Sequence, residues 1–139
     1  MIVVDTSVIV AFMNAGDDHH EVVAGWLDQT NDDLATTPLV VAEVDHLARV
    51  RGGSAASGAF RADLLAGAYL VEWWPAAIAS SVSVAEVYAD TGLGLADASL
   101  VALAERVGTV EIATLDERHF RVVRPLTAGA AFRLLPADA

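Results

Sequence analysis

The sequence predicts an α/β fold built on a central, mainly parallel sheet of four to five strands, and three observations predict it. The chain opens on a continuous apolar run, Ile2-Val3-Val4, of the kind that forms a strand buried on both faces. Similar short runs then alternate with segments of helical periodicity, as in parallel strands joined by crossover helices. The first run leads straight into Asp5-Thr6-Ser7, so a carboxylate stands where a buried strand gives way to a helix. In open α/β sheets that crevice, outside the carboxyl ends of the strands, is where ligands bind.

Taken in order, Ser7 is suited to cap a first helix over 8–13. Asn14-Ala15-Gly16-Asp17-Asp18 is a turn by composition, and Val22, Val23, Trp26 and Leu27 mark the core face of the next helix. Asp17-Asp18-His19-His20 reads as the acidic start of that helix, because adjacent histidines point to different sides whereas zinc-binding pairs stand four apart. A second strand is expected over 34–37, and Pro38 fits the first turn of a helix carrying Val40, Val44, Leu47 and Ala48. Glu43 shares a side with Leu47, and a carboxylate on a buried face needs a partner, whereas Asp45 faces away.

Arg51-Gly52-Gly53-Ser54 breaks the chain before a helix over 55–66, and a third strand is expected over 69–74, ended by Pro75. Trp73 and Trp74, adjacent on a strand, would face opposite ways and serve packing rather than base stacking. Helices are expected over 76–89 and 98–107, the second opened by Asp97 as its N-cap, with Asp97 facing inward beside Val101 and Ala104. The loop 91–96 holds two glycines yet matches neither dinucleotide- nor phosphate-loop patterns. Gly108 ends the helix, and a fourth strand over 110–115 delivers Asp116. A helix from 97 to 107 spans about 16 Å at 1.5 Å per residue. The returning strand covers a similar length, which brings Asp116 back to the end of the sheet where Asp97 begins. Phe132-Arg133-Leu134-Leu135 suits a final edge strand.

Composition narrows the function. At 139 residues the chain is read as one domain, 1–139, with core enough to fold, and without cysteine it has no disulfides and no thiolate metal site. Asp5 interrupts the apolar start and no basic segment precedes it, so a cytoplasmic protein with no membrane partner is expected. The net charge of −11 opposes nucleic-acid binding as a whole. All eight basic residues are arginines, however, and Arg118, Arg121, Arg124 and Arg133 crowd the C-terminal quarter.

Asp5, Glu43, Asp97 and Asp116 are therefore expected to converge on one end of the sheet. Inward carboxylates with no lysine to neutralise them repel one another, which a bound cation relieves. Oxygen-only ligands select hard ions, Mg²⁺ or Mn²⁺, over zinc. Such ions at a paired site hydrolyse phosphodiesters. Thr6, Ser7 and Thr114 are placed to hydrogen-bond the carboxylates, and Arg118 and Arg121 to hold phosphates beside Asp116.

Four segments carry a family resemblance: Val4-Asp5-Thr6-Ser7, Glu43-Val44-Asp45-His46-Leu47, Gly94-Leu95-Ala96-Asp97-Ala98-Ser99-Leu100 and Thr114-Leu115-Asp116-Glu117-Arg118-His119-Phe120. Together they resemble the PIN-domain ribonucleases, and within them the VapC toxins of bacterial toxin–antitoxin pairs. The resemblance implies a PIN-like three-layer α/β/α fold and Mg²⁺-dependent endoribonuclease activity at Asp5, Glu43, Asp97 and Asp116, with Asp5 and Asp97 as the metal ligands. It also implies homodimers and inhibition by a cognate, VapB-like antitoxin. Phosphoryl-transfer folds that place an aspartate after the first strand rely on a lysine, which is absent here. A non-catalytic PIN-like scaffold and a nuclease acting on DNA are the alternatives.

Overall fold

Ile2–Val4 forms strand β1, with all three side chains buried, and it occupies the middle of the sheet. The computed structural model describes residues 1–139. Strand β2 (Leu34–Thr36) pairs with β1, and β3 (Leu70–Val71) pairs with β2 at one edge. Strand β4 (Glu111–Ala113) lies on the other side of β1, followed by β5 (Arg133–Leu135). The order is β3-β2-β1-β4-β5 and every pairing is parallel. The chain winds outward from β1 in one direction and then returns to its other side. The switch point, where connections diverge and a crevice opens, lies between β1 and β4.

Helices α1 (Thr6–Met13), α2 (His20–Gln29) and α3 (Pro38–Leu65) precede β3, and α4 (Ala77–Val87) and α5 (Leu95–Val107) precede β4. A short α6 (Glu117–Phe120) follows β4. Packing of α1 against α2 and α3, and of α4 against α5, completes a three-layer α/β/α arrangement. In α5 every residue from Ala98 to Ala104 is buried, so this helix is apolar on all sides and runs through the core. Its C-cap, Gly108, takes the left-handed conformation at φ 72°, as the expected stop requires.

The glycine break expected at 51–54 is a sharp bend within α3. Gly53 has φ 76° and ψ −170°, a region open to glycine almost alone. Asp45 and Arg61, which a straight helix would hold about 24 Å apart at 1.5 Å per residue, meet in a two-pronged ion pair at 2.8 Å. The bend folds the helix back so that its halves touch, and a Cβ on Gly52 would lie 2.6 Å from that of Ala56. Asp45 is thus ion-paired rather than merely solvated.

Several boundaries differ from expectation. The third strand is only Leu70–Val71, so Trp73 and Trp74 lie beyond it and pack on each other at 5.9 Å, with Arg106 over Trp74. As the sheet's edge, β3 has one neighbour and both its residues are exposed, which removes the burial that would extend it. The fourth strand likewise shortens to Glu111–Ala113. Helix α1 begins at Thr6 with Asp5 as N-cap, not Ser7, and α5 begins at Leu95 with Gly94 as N-cap, not Asp97. Asp97 is the third residue of α5, where its charge suits the helix dipole without capping it. Ser7 is engaged by Asp5 and, across the fold, by the Leu115 N–H instead of by its own helix end.

Replacing Gly53 with alanine should cost about 1–3 kcal/mol, the strain of a side chain in that backbone region. Gly58→Ala, at a helical position with open space around it, should be neutral or stabilising by up to about 1 kcal/mol. Urea unfolding of both variants checks the pair, and equal effects would remove the special role of Gly53.

Candidate active site

Asp5 is only 4% exposed, and burial pushes its carboxyl above the usual range against the hydrogen bonds it accepts. Its Oδ2 accepts from Ser7 Oγ at 2.7 Å and from Thr114 Oγ1 at 2.8 Å. Each hydroxyl also accepts a backbone N–H, Ser7 from Leu115 at 2.9 Å and Thr114 from Asp116 at 3.0 Å. A hydroxyl with its one proton committed to a carboxylate has lone pairs left for such donors. Two parallel relays thus run from the Leu115–Asp116 backbone, through a hydroxyl, to Asp5. They join segments more than a hundred residues apart in sequence. Asp5 also donates its N–H to Ala113 O at 2.9 Å, extending the β1–β4 ladder into the site.

Asp97 comes in from α5. Its helix start is tied to the end of β2: Ser99 Oγ donates to Ala96 O at 2.6 Å, so at 2.7 Å Thr37 Oγ1 donates to Ser99 Oγ. Burial pushes the Asp97 carboxyl up to about 7, aided by the charges of Asp5, Asp116 and Glu43. Asp116 moves the other way. Burial raises it, but hydrogen bonds from the ring and backbone N–H of His119 outweigh that and hold it below the usual range. Asp116 Oδ1 accepts from His119 N at 3.1 Å, and its Oδ2 lies 2.7 Å from His119 Nδ1. His119 itself is raised by Asp116 and by the Thr91 carbonyl oxygen, 3.0 Å from Nε2.

All four expected acidic residues, Asp5, Glu43, Asp97 and Asp116, line one cavity of about 420 Å³, with Thr6, Ser7, Asp17, His19 and Arg51. Glu43 differs from expectation in being exposed on the rim rather than buried. Thr6 lines the cavity, but its buried hydroxyl bonds to no group of the chain. Ser7 and Thr114 hold Asp5 as expected. Arg121 is turned away from phosphate binding: its guanidinium bonds Glu117 and, at 2.7 Å, Asp138. Arg118 is exposed and in no ion pair.

Sequence reasoning missed His119 and the cavity-lining Arg51. The spacing Asp116-x-x-His119, which faces two side chains together at a helix start, is the signal that could have found the first. In the Asp17–His20 segment, the Asp17 carboxylate accepts from His19 N at 2.8 Å and His20 Nδ1 lies 2.9 Å from Ala11 O, which supports the structural reading. Even so, Asp17 and His19 border the site.

The donor set fits a hard divalent cation. Burial, aided by repulsion among the carboxylates, holds Asp97 near 7, the Thr6 hydroxyl lacks a partner within the chain, and no lysine is present to neutralise the cluster. The ligand atoms of Asp97, Asp116 and His119 all lie within 4.8 Å of one another.

Comparison with known proteins agrees with this architecture. The profile of the PIN domain family matches residues 2–125. The chain is 37% identical over 135 residues to Ribonuclease VapC26 of Mycobacterium tuberculosis, covering 96% of this chain and 99% of that protein. Its fold resembles that of Mycobacterium tuberculosis VapC20, a sarcin-ricin loop cleaving toxin. The TM-score is 0.79 and the identity 23%, over 84% of this chain and 91% of that one. FitAcB from Neisseria gonorrhoeae superposes with a TM-score of 0.61, also at 23% identity, over 84% of this chain and 88% of that one.

Two predictions follow from the charges. Thr114→Val removes a donor to the buried Asp5 and leaves the Asp116 N–H without its acceptor. Denaturant unfolding should show a loss of about 2–3 kcal/mol, and a loss below half that would demote the relay. Asp97→Asn should stabilise the protein in EDTA. The Asp97 pKa is about 7 folded and about 4 unfolded. Its charge therefore costs nothing below pH 4, costs more as pH rises, and costs in full above 7. Melts of wild type and variant should coincide near pH 4 and separate to about 1–3 kcal/mol at pH 8, a range reduced for partial exposure. A less stable variant at pH 8 would make Asp97 structural.

Proposed function

The chain belongs to the PIN-domain family, in its VapC group, and from that premise we propose that it is an Mg²⁺-dependent endoribonuclease, the toxin of a toxin–antitoxin pair. The observation that carries this reading is the convergence of Asp5, Glu43, Asp97 and Asp116, from four separate segments, on one cavity at the switch point of the sheet. The name of the curated relative, a ribonuclease, supports RNA rather than DNA as the substrate.

Asp5 and Asp97 would hold Mg²⁺, or Mn²⁺ in its place, with Asp116 beside them. Bound there, the ion polarises the phosphodiester and makes its water more acidic. The chain supplies the rest. Ser7 and Thr114, both donating to Oδ2, fix the orientation of the Asp5 carboxylate that would hold the ion. Glu43, at the exposed rim of the cavity, takes the proton of the attacking water. The water oxygen joins phosphorus, one P–O bond breaks, and the departing ribose oxygen takes a proton from solvent water, to which Glu43 then returns the proton it accepted.

Arg51 lines the cavity and Arg118 flanks Asp116, and neither is held in an ion pair. They are the cations proposed for RNA phosphates, in place of the pair Arg118 and Arg121. The remaining acidity of the cavity suits a basic partner, so a VapB-like antitoxin tail would place an arginine among the carboxylates. A single domain over 1–139, a homodimer and a cytoplasmic location complete the proposal. No helix is long and apolar enough to cross a membrane.

The test is cleavage of single-stranded RNA by the purified protein with Mg²⁺ or Mn²⁺. Cleavage should vanish in EDTA and in Asp97→Asn. Activity that survives EDTA overturns the metal mechanism, and binding of a partner without cleavage favours a scaffold. Binding of the same RNA across a salt series tests the arginines. Arg118→Ala should flatten the slope of log affinity against log salt by about 0.7, one phosphate contact on a single strand. Arg121→Ala should leave it unchanged.

A further inference from the structure

His119 joins the segment that carries Asp116 to the connection leading into α5 and Asp97. On one side its backbone N–H and ring Nδ1 meet the two oxygens of Asp116, at 3.1 and 2.7 Å. On the other, Nε2 lies 3.0 Å from Thr91 O. Thr91 ends a 3-10 turn (Ala89–Thr91), and α5, with Asp97 in its first turn, begins four residues later at Leu95. A second strut runs in parallel: Tyr88 Oη accepts from Arg124 N at 3.0 Å, while Thr91 Oγ1 donates to Tyr88 O at 2.8 Å. The connection into α5 and the segment carrying Asp116 are thus fastened twice, once through the His119 ring.

We propose that His119 is a positioning residue that sets Asp116 against Asp97 by bridging the Asp116 carboxylate and the Thr91 carbonyl, and that it is not a metal ligand. Its ligand atoms lie close enough to those of Asp97 and Asp116 for direct coordination to be the competing role. Coordination, however, takes place through the lone pair of a ring nitrogen. Nε2 faces a carbonyl oxygen, which can only accept, so Nε2 carries a hydrogen. Nδ1 faces a carboxylate oxygen at 2.7 Å. Either nitrogen could reach a metal only by giving up one arm of the bridge, and with it the tie between the two segments. Ligands oriented by outer partners of this kind lose about 10–100-fold in metal affinity or activity when the partner is removed.

The catalytic consequence rests on the nuclease reading, but the bridge does not, and the test separates them. Mn²⁺ is the probe, titrated by electron paramagnetic resonance into wild type, His119→Ala and His119→Gln. Mn²⁺ affinity should fall about 10–100-fold in His119→Ala, with partial recovery in His119→Gln, which keeps a donor. The spin-echo spectrum of Mn²⁺ should lose no imidazole-nitrogen coupling in either variant. Amide exchange across residues 88–94 should accelerate in His119→Ala. Loss of a nitrogen coupling with His119 would make it a ligand and overturn the proposal, as would unchanged Mn²⁺ affinity or unchanged exchange. Should His119→Ala fail to fold, His119→Gln carries the same comparison. If wild type binds Mn²⁺ yet cleaves no RNA, the nuclease reading fails while affinity and exchange still decide the bridge.

Discussion

The structure depends on satisfying one buried carboxylate. Asp5 sits almost out of water at the end of the central strand, where an unpaired charge would be severely destabilising. The fold answers with two hydroxyls, Ser7 from α1 and Thr114 from the end of β4, both donating to the same oxygen. Because each hydroxyl also accepts a backbone N–H from the Leu115–Asp116 segment, the solution for Asp5 dictates where Asp116 begins. It also requires β4 to lie beside β1, on the side away from β2. The switch point of the sheet and the tightest polar network coincide for that reason.

The rest of the cluster is electrostatically incomplete. Asp97 is pushed toward neutrality, Asp116 leans on His119, and Glu43 stays at the solvent rim. Three of the eight arginines give no relief, since Arg61, Arg121 and Arg133 are committed to Asp45, Glu117 with Asp138, and Glu111. A polypeptide selected for stability alone would replace one of these acids. Their convergence on a single cavity is the ground on which a hard cation, and a phosphate or basic side chain beside it, is proposed there.

The bend in α3 serves the same site from a distance. The helix folds back at Gly53 with its halves tied through Asp45 and Arg61, and the half before the bend carries Glu43 and Arg51 to the cavity. The half-helix that ends at this glycine therefore carries both a carboxylate and a guanidinium to the cavity.

The sequence by itself determined the α/β class, the parallel sheet, the central position of the first strand's carboxylate and the identities of the four acids. These are legible because they reside in local periodicity and in the distance a helix and a strand each travel. Gly53 was legible as a break, since only its backbone freedom mattered. Tertiary structure alone decided which way the polar side chains turn. Ser7 and Asp97 resemble helix caps in sequence, yet Ser7 serves Asp5 and Asp97 faces its fellow acids. Arg121 looks like a phosphate ligand until Asp138 closes over it, and His119 looks ordinary until Thr91 arrives from 28 residues away. The third strand shortened for a related reason, because its burial depended on a neighbour the edge does not have. Periodicity reports which face of an element is apolar, whereas a polar group is placed by its partner, and that partner comes from distant chain.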